Sequence, residues 1–269
     1  MSHILDVQKV TFAYETKEVF RDISFKIDKG EIFCLLGPNG CGKTTLLDCI
    51  MDIHQQKSGE IFLQGKSAHS YKRHELAQHV AYVPQIHDIT FPYTVKEVVL
   101  MGRTAYTGMF GEPQERDEEI ALEMLDLVGM LDYAEQPYSK ISGGEVKLVL
   151  LARALGQQSE LIIMDEPTAH LDFRNELLFL ESIVNLCSQS KITVLMVTHS
   201  PNHAYYFAEK GLPVKVAMLN QGKMIAYGGP YEVLTEENLQ KVYRVKVKIG
   251  KELDGDNHEI NTMTLLKTI

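Results

Sequence analysis

The 269-residue chain contains no apolar run of the ~18 residues that a membrane-crossing helix needs. Its first residues, Met1-Ser-His-Ile-Leu-Asp6, lack the basic and apolar regions of a secretory signal, so the cytoplasm is the expected location. Positive charge is in short supply. Lys and Arg number 27 against 36 Asp and Glu, and the net charge of −9 argues against a general nucleic-acid binder. Cysteine is scarce too. Cys34, Cys41, Cys49 and Cys187 show no metal-ligand spacing, and reduced, mostly buried thiols are the expectation, with Cys41 the exception. There is no internal repeat and no low-complexity segment. What remains is 45% hydrophobic and 23% charged, a globular balance long enough for one large domain or two small ones.

The most informative stretch is Gly37-Pro38-Asn39-Gly40-Cys41-Gly42-Lys43-Thr44-Thr45. It satisfies the phosphate-loop pattern through Gly37, Gly42, Lys43 and Thr44. Glycines let successive backbone N–H groups curl around phosphate oxygens where a Cβ would obstruct the turn. Lys43 is placed to reach the β- and γ-phosphates, and the Thr44 hydroxyl to ligate Mg²⁺. The flanks agree. Ile32 to Leu36 reads as a buried strand, and Thr44 to Met51 as a helix whose N-terminus faces the phosphates. Cys41, inside this loop and near a helix N-terminus, is expected to have a lowered thiol pKa, so that thiol reagents block nucleotide binding and ATP protects.

Further strands are expected at 4–14, 19–27, 79–83, Leu161–Met164 and Thr193–Val197. The last two are continuous apolar runs of the kind buried on both faces of a parallel sheet. Residues 94–136 read as mostly helical, with Glu115–Leu131 the clearest amphipathic stretch and Gly102–Pro113 a glycine-bearing loop. The tail from Gly222 reads as turns, short strands and one helix over Glu236–Val242. The apolar runs before Gly37, Asp165 and His199 all end in chemically useful groups. Ligands of open α/β sheets bind beyond the carboxyl ends of strands, so one crevice is predicted for all three.

Asp165 and Glu166 close the run Leu161–Met164. Asp165 can hold Mg²⁺ and Glu166 can polarise the attacking water as general base. Ser142-Gly143-Gly144-Glu145 precedes a helix expected over Val146–Gly156. Ser142 and Glu145 form a capping box. The glycines add what capping does not require, close backbone approach to an anion at a helix N-terminus.

With these motifs in order, the chain resembles the nucleotide-binding subunits of ABC transporters over residues 4–245. The phosphate loop matches at Gly37–Thr45, the signature at Ser142–Glu145 with Ile141 where leucine is usual, and the second nucleotide motif at Leu161–Glu166. Tyr14 stands where the family stacks an aromatic on adenine, Gln85 at the Q-loop, Ala169-His-Leu-Asp172 at the D-loop and His199 at the switch histidine. Past the signature, Val146-Lys-Leu148 replaces a stretch that is often polar and basic.

The resemblance implies an α/β P-loop NTPase core of mostly parallel sheet with flanking helices, an antiparallel β subdomain and a helical subdomain at about 88–158. Residues 246–269 would form a C-terminal appendage. It implies ATP and Mg²⁺ as cofactors, with Glu166, His199 and Gln85 catalytic and Thr44, Gln85 and Asp165 at the metal. The remaining nucleotide contacts would come from Tyr14, the Gly37–Thr45 loop, Ser142–Glu145 and Asp172. Two copies would pair head to tail, each ATP lying between the phosphate loop of one and Ser142–Glu145 of the other. Partners would be integral membrane permeases and, indirectly, a substrate-binding protein, with no nucleic acid. The location would be peripheral on the inner face of the membrane. Tyr106, Met109 and Phe110 are expected to border the docking groove.

Val98–Arg103, the His170 neighbourhood and Thr235–Tyr243 are similar to importers of metal chelates such as ferric siderophores, haem and cobalamin. Asn39–Lys43, Met101–Arg103 and His199–Asn202 are shared with molybdate and tungstate importers. A DNA-repair ATPase of this superfamily would need a long coiled coil between loop and signature, yet Ser142 lies only 99 positions after Lys43, without sustained heptads. A translation factor would carry two heads and usually a basic linker. A small GTPase or kinase would lack Ser142–Glu145 and His199.

Overall fold

The computed structural model describes residues 3–85, 92–107, 111–253, 255 and 259–269. They form two compact units, one built from the first 70 residues together with 193–269, the other from 71–192. No helix among the described residues is long and apolar enough to cross a membrane.

The first unit begins with β1 (Leu5–Tyr14), β2 (Lys17–Ile27), β3 (Ile32–Leu36), α1 (Lys43–Ile50), β4 (Ser58–Leu63) and the short β5 (Lys66–Ser67). An antiparallel sheet runs in the order β2-β1-β4-β5. Its apolar alternation is broken by register shifts between Val7 and Val10. Lys9 lies there in the left-handed region at φ 47°, a β-bulge that adds local twist. Gly59 is required opposite it, since a Cβ would come within 2.3 Å of the Lys9 carbonyl oxygen.

The second unit holds α2 (Arg73–His79), β6 (Val80–Val83), α3 (Val95–Leu100), α4 (Thr104–Thr107), α5 (Glu115–Leu127), α6 (Gly143–Gly156), β7 (Leu161–Asp165) and α7 (Phe173–Ser190). Strands β6 and β7 pair in parallel, Val80 opposite Leu161 through Val83 opposite Met164. Helices α3, α5 and α6 pack against one another around Val98, Val99, Ile120, Leu125, Leu150 and Leu151, all nearly inaccessible. The stretch read as a loop from Gly102 is instead helical at its start, with a 3₁₀ turn at Met101–Arg103 running into α4. The cause is tertiary. Arg103 is buried, donates to Asp117 Oδ1 at 2.8 Å, to the Gly156 carbonyl at 2.8 Å and to Gln158 Oε1 at 3.0 Å, and winds the chain tight around itself. Gly102 lies so close to α6 that a Cβ would sit 2.2 Å from the Arg153 carbonyl oxygen.

The chain returns to the first unit with β8 (Thr193–Val197), α8 (Asn202–Glu209), β9 (Val214–Asn220), β10 (Lys223–Gly228), α9 (Pro230–Val233), α10 (Glu236–Tyr243), β11 (Val245–Leu253) and β12 (Glu259–Thr268). Strand β3 runs parallel to β8 on one side and β9 on the other, and β10 pairs antiparallel with β9. Every residue of β3 and β8 is buried, which is why both read as unbroken apolar runs. Phe25 of β2 stacks on Phe33 of β3 at 4.6 Å, joining this sheet to the antiparallel one. Of the short strands expected in the tail, β10 is one, while beyond α10 the chain forms two long strands, paired as a hairpin from Val245 opposite Thr268 to Leu253 opposite Glu259. The hairpin is fastened to the unit through polar backbone contacts: Ile249 N–H donates to Glu236 and Asn261 N–H to Glu209.

Candidate functional site

Each unit carries its own share of the expected site. In the first, the Gly37–Thr45 loop joins β3 to α1. Gly42 caps α1 in the left-handed region at φ 105°, with Val19 and Phe20 packed where a Cβ would stand. At Gly37 a Cβ would lie 2.3 Å from the Leu219 carbonyl oxygen, so glycine is imposed by packing against β9. Asn39, Gly40 and Thr44 are exposed, Pro38 and Thr45 half-buried. Lys43 is buried, its ammonium donating to the Gly37 carbonyl at 2.8 Å and the Pro38 carbonyl at 3.2 Å. The loop therefore wraps its own cation.

Cys41 corrects an expectation. Its thiol is buried, and burial pushes its pKa up despite the pull of Lys43. Desolvation of the thiolate outweighs the nearby positive charge and the helix N-terminus, so Cys41 is not an activated thiol.

Tyr14 ends β1 with 48% of its surface exposed. Its ring stands edge-on to Phe12 at 4.9 Å and to His54 at 5.6 Å, while Phe12 and His54 stack on each other. Its hydroxyl lies 3.2 Å from His54 Nε2. Sequence reasoning missed His54; a lone histidine in a polar turn carries no signal. His199 is exposed and lies one residue, Thr198, beyond the end of β8. Since β3 and β8 are parallel, His199 and the phosphate loop leave their strands at the same end.

In the second unit, Gln85 follows β6, and Asp165 ends β7 with Glu166 just beyond it, again at one end of a parallel pair. Asp165 is buried. Glu166 lies in the left-handed region at φ 48° and accepts a hydrogen bond from Gln85 Nε2 at 2.7 Å. Non-glycine residues held there cost about 1–3 kcal/mol and cluster at functional sites. The Gln85 carbonyl accepts from the ammonium of Lys147, a residue for which sequence reasoning gave no role.

Ser142 is the N-cap of α6, which begins at Gly143, earlier than expected. Its hydroxyl accepts from Glu145 N–H at 3.4 Å, and its own N–H donates to Glu145 Oε2 at 2.7 Å. The Ser142 N–H, as the largest cause, holds the Glu145 carboxyl below its usual range. The two glycines differ. A Cβ on Gly144 would fall 2.5 Å from Asn175 Cγ of α7, whereas one on Gly143 meets nothing within 4 Å. Gly144 is thus demanded by packing and Gly143 is open to approach. Asp172 caps α7, accepting from Asn175 N–H at 2.8 Å. Tyr106 donates its hydroxyl to the Gln157 carbonyl at 2.9 Å, with Arg103 over its ring. Met109 and Phe110 lie outside the described residues.

A glycine loop between a parallel strand and a helix, with acidic residues ending a second parallel strand, defines a P-loop ATPase head. The ABC transporter family profile matches residues 20–169. The chain is 34% identical over 245 residues to the iron(3+)-hydroxamate import ATP-binding protein FhuC of Bacillus subtilis, covering 91% of this chain and 89% of that one. It is 33% identical over 246 residues to the molybdate import ATP-binding protein MolC of Haemophilus influenzae, with coverages of 91% and 90%. A solved structure of a metal-chelate type ABC transporter, in an inward-facing conformation, superposes with a TM-score of 0.86 at 30% identity, over 99% of this chain and 98% of that one. The chain belongs to the ABC transporter family, as an ATP-binding, ATP-hydrolysing subunit.

Proposed function

We propose that this chain powers the uptake of a metal chelate through separate membrane permease subunits, working as a head-to-tail pair. The relatives support an importer, and the metal-chelate type structure together with FhuC favours a chelated iron cargo. The observation that carries the enzymatic part is the Gln85–Glu166 hydrogen bond at the end of a parallel strand pair. It holds a carboxylate and an amide as a unit able to orient water.

The roles follow from the chemistry of each group. Loop amides from Gly37 to Thr45 and the Lys43 ammonium bind the β- and γ-phosphates, and Tyr14 offers its ring to the base. The hard oxygen donors Thr44, Asp165 and the Gln85 amide oxygen suit Mg²⁺, which when bound neutralises charge on the phosphate oxygens. Glu166 takes a proton from water as the water oxygen bonds to the γ-phosphorus and the bond to the bridging oxygen of ADP breaks. His199 binds the γ-phosphate. Ser142 and the Gly143 N–H, at the head of α6, bind the γ-phosphate held by the other copy, and Asp172 lies near the pairing surface.

The test is Glu166→Gln. ATP binding should persist while turnover falls by roughly 10²–10⁴-fold, the usual worth of a general base. Near-normal turnover would remove Glu166 from that role. For cargo, the chain with its permease in vesicles should move ferric hydroxamate in exchange for ATP hydrolysis. MolC, at closely similar identity, keeps molybdate as the second reading, and uptake of molybdate alone would select it.

A further inference from the structure

A buried ammonium needs a reason. Lys147 retains only 8% of its surface, and burial pulls its pKa down while the Asp165 carboxylate pulls it back up. It projects from the second turn of α6, whose first turn is Ser142–Glu145. Its partner is the backbone carbonyl of Gln85, and Gln85 in turn donates its side-chain amide to Glu166 at 2.7 Å. A chain of contacts therefore runs from the helix that begins at the signature, through Lys147 and Gln85, to the carboxylate. Solubility cannot explain Lys147, because the charge is out of solvent. Bulk alone does not call for an ammonium at this place; what the lysine adds to an apolar side chain of similar volume is the donor that meets the Gln85 carbonyl.

We propose that Lys147 is a positioning residue for hydrolysis: by gripping the Gln85 carbonyl it fixes the Gln85 amide against Glu166, and so ties the orientation of the base to helix α6. The proposal rests on Glu166 being the base. It makes the signature helix more than a phosphate contact. A ligand that draws on the head of α6 also pulls, one turn further along, on the group that aims the carboxylate. The lysine stem is long enough to span from a helix to a strand end, and its hold on the Gln85 carbonyl sets the backbone position from which the Gln85 amide reaches Glu166.

The experiment uses the full chain with Mg·ATP and compares Lys147→Met, Lys147→Arg and Gln85→Ala. Lys147→Met keeps the volume and loses the charge. It should leave the nucleotide KM and the melting temperature near wild type, while kcat falls by about tenfold to a hundredfold, the scale of a small misplacement of a catalytic group. Lys147→Arg, which can still donate to the carbonyl, should recover most of kcat. Combined with Gln85→Ala, Lys147→Met should add little further loss, because both act through one link. Unchanged kcat, a loss of activity that only tracks loss of folded protein, or full additivity with Gln85→Ala would each overturn the proposal. If Glu166→Gln hydrolyses normally, the base assignment fails instead, a result separable from any of these.

Discussion

Two adjacent glycines show how one motif serves two demands. Gly144 fits against Asn175, whose amide also bonds Asp172, so an added methyl must displace that side chain and disturb the cap of α7. Gly144→Ala should lower stability by about 1–3 kcal/mol, the usual cost of overpacking. Gly143 faces open space in the first helical turn. Gly143→Ala should melt at or slightly above wild type, because the unfolded chain loses freedom, yet hydrolyse ATP more slowly as the methyl crowds the phosphate-facing surface. Thermal melts and steady-state turnover on the two variants check the split. Equal behaviour would mean the glycines share one role. From sequence the pair reads as a single anion-facing device; only the neighbouring helix tells them apart.

At the scale of elements, the strands with unbroken apolar runs were legible because both faces are buried, as β3, β7 and β8 are throughout. The capping box at α6 was legible because it is local. The turn at Met101–Arg103 was not, because its cause is a buried ion pair with a residue 14 positions away. Arg103, together with the Gln114 N–H, holds the Asp117 carboxyl below the usual range. A depressed folded pKa contributes stability that is complete above the unfolded value of about 3.9 and is lost as pH falls through the folded one. Asp117→Asn should therefore destabilise at neutral pH, by about 3–5 kcal/mol if the buried guanidinium is left uncompensated. Its melting temperature and that of the wild type should converge on acidification below about pH 4. A gap that stays constant down to pH 3 would show that the pair is not the source. Lys147 was illegible for a related reason: its partner is the carbonyl of Gln85, 62 positions away in the chain.

At the scale of the whole molecule, the proposed pairing places each nucleotide between a phosphate loop and another copy's signature. Complementation tests this directly. Lys43→Ala removes the loop cation and Ser142→Arg blocks the signature, so each homodimer should be inactive. Mixed dimers contain one site with an intact loop from the Ser142→Arg copy and an intact signature from the Lys43→Ala copy. Mixing the two dead variants should restore measurable ATPase activity. Silence in the mixture, with mixed dimers demonstrated, would argue that each chain works alone.

The sequence by itself determined the class of protein, because phosphate binding depends on short, contiguous patterns of glycine, lysine and hydroxyl whose chemistry is local. It also determined the buried strands, whose apolar runs need no partner to be read. Only the tertiary structure decided that Cys41 is a desolvated thiol, that Gly144 answers to packing, that Arg103 winds its turn around Asp117, and that Lys147 holds the glutamine beside Glu166. Each of these depends on which atoms lie next to a group after the chain has closed on itself, and desolvation and contact are properties of that arrangement.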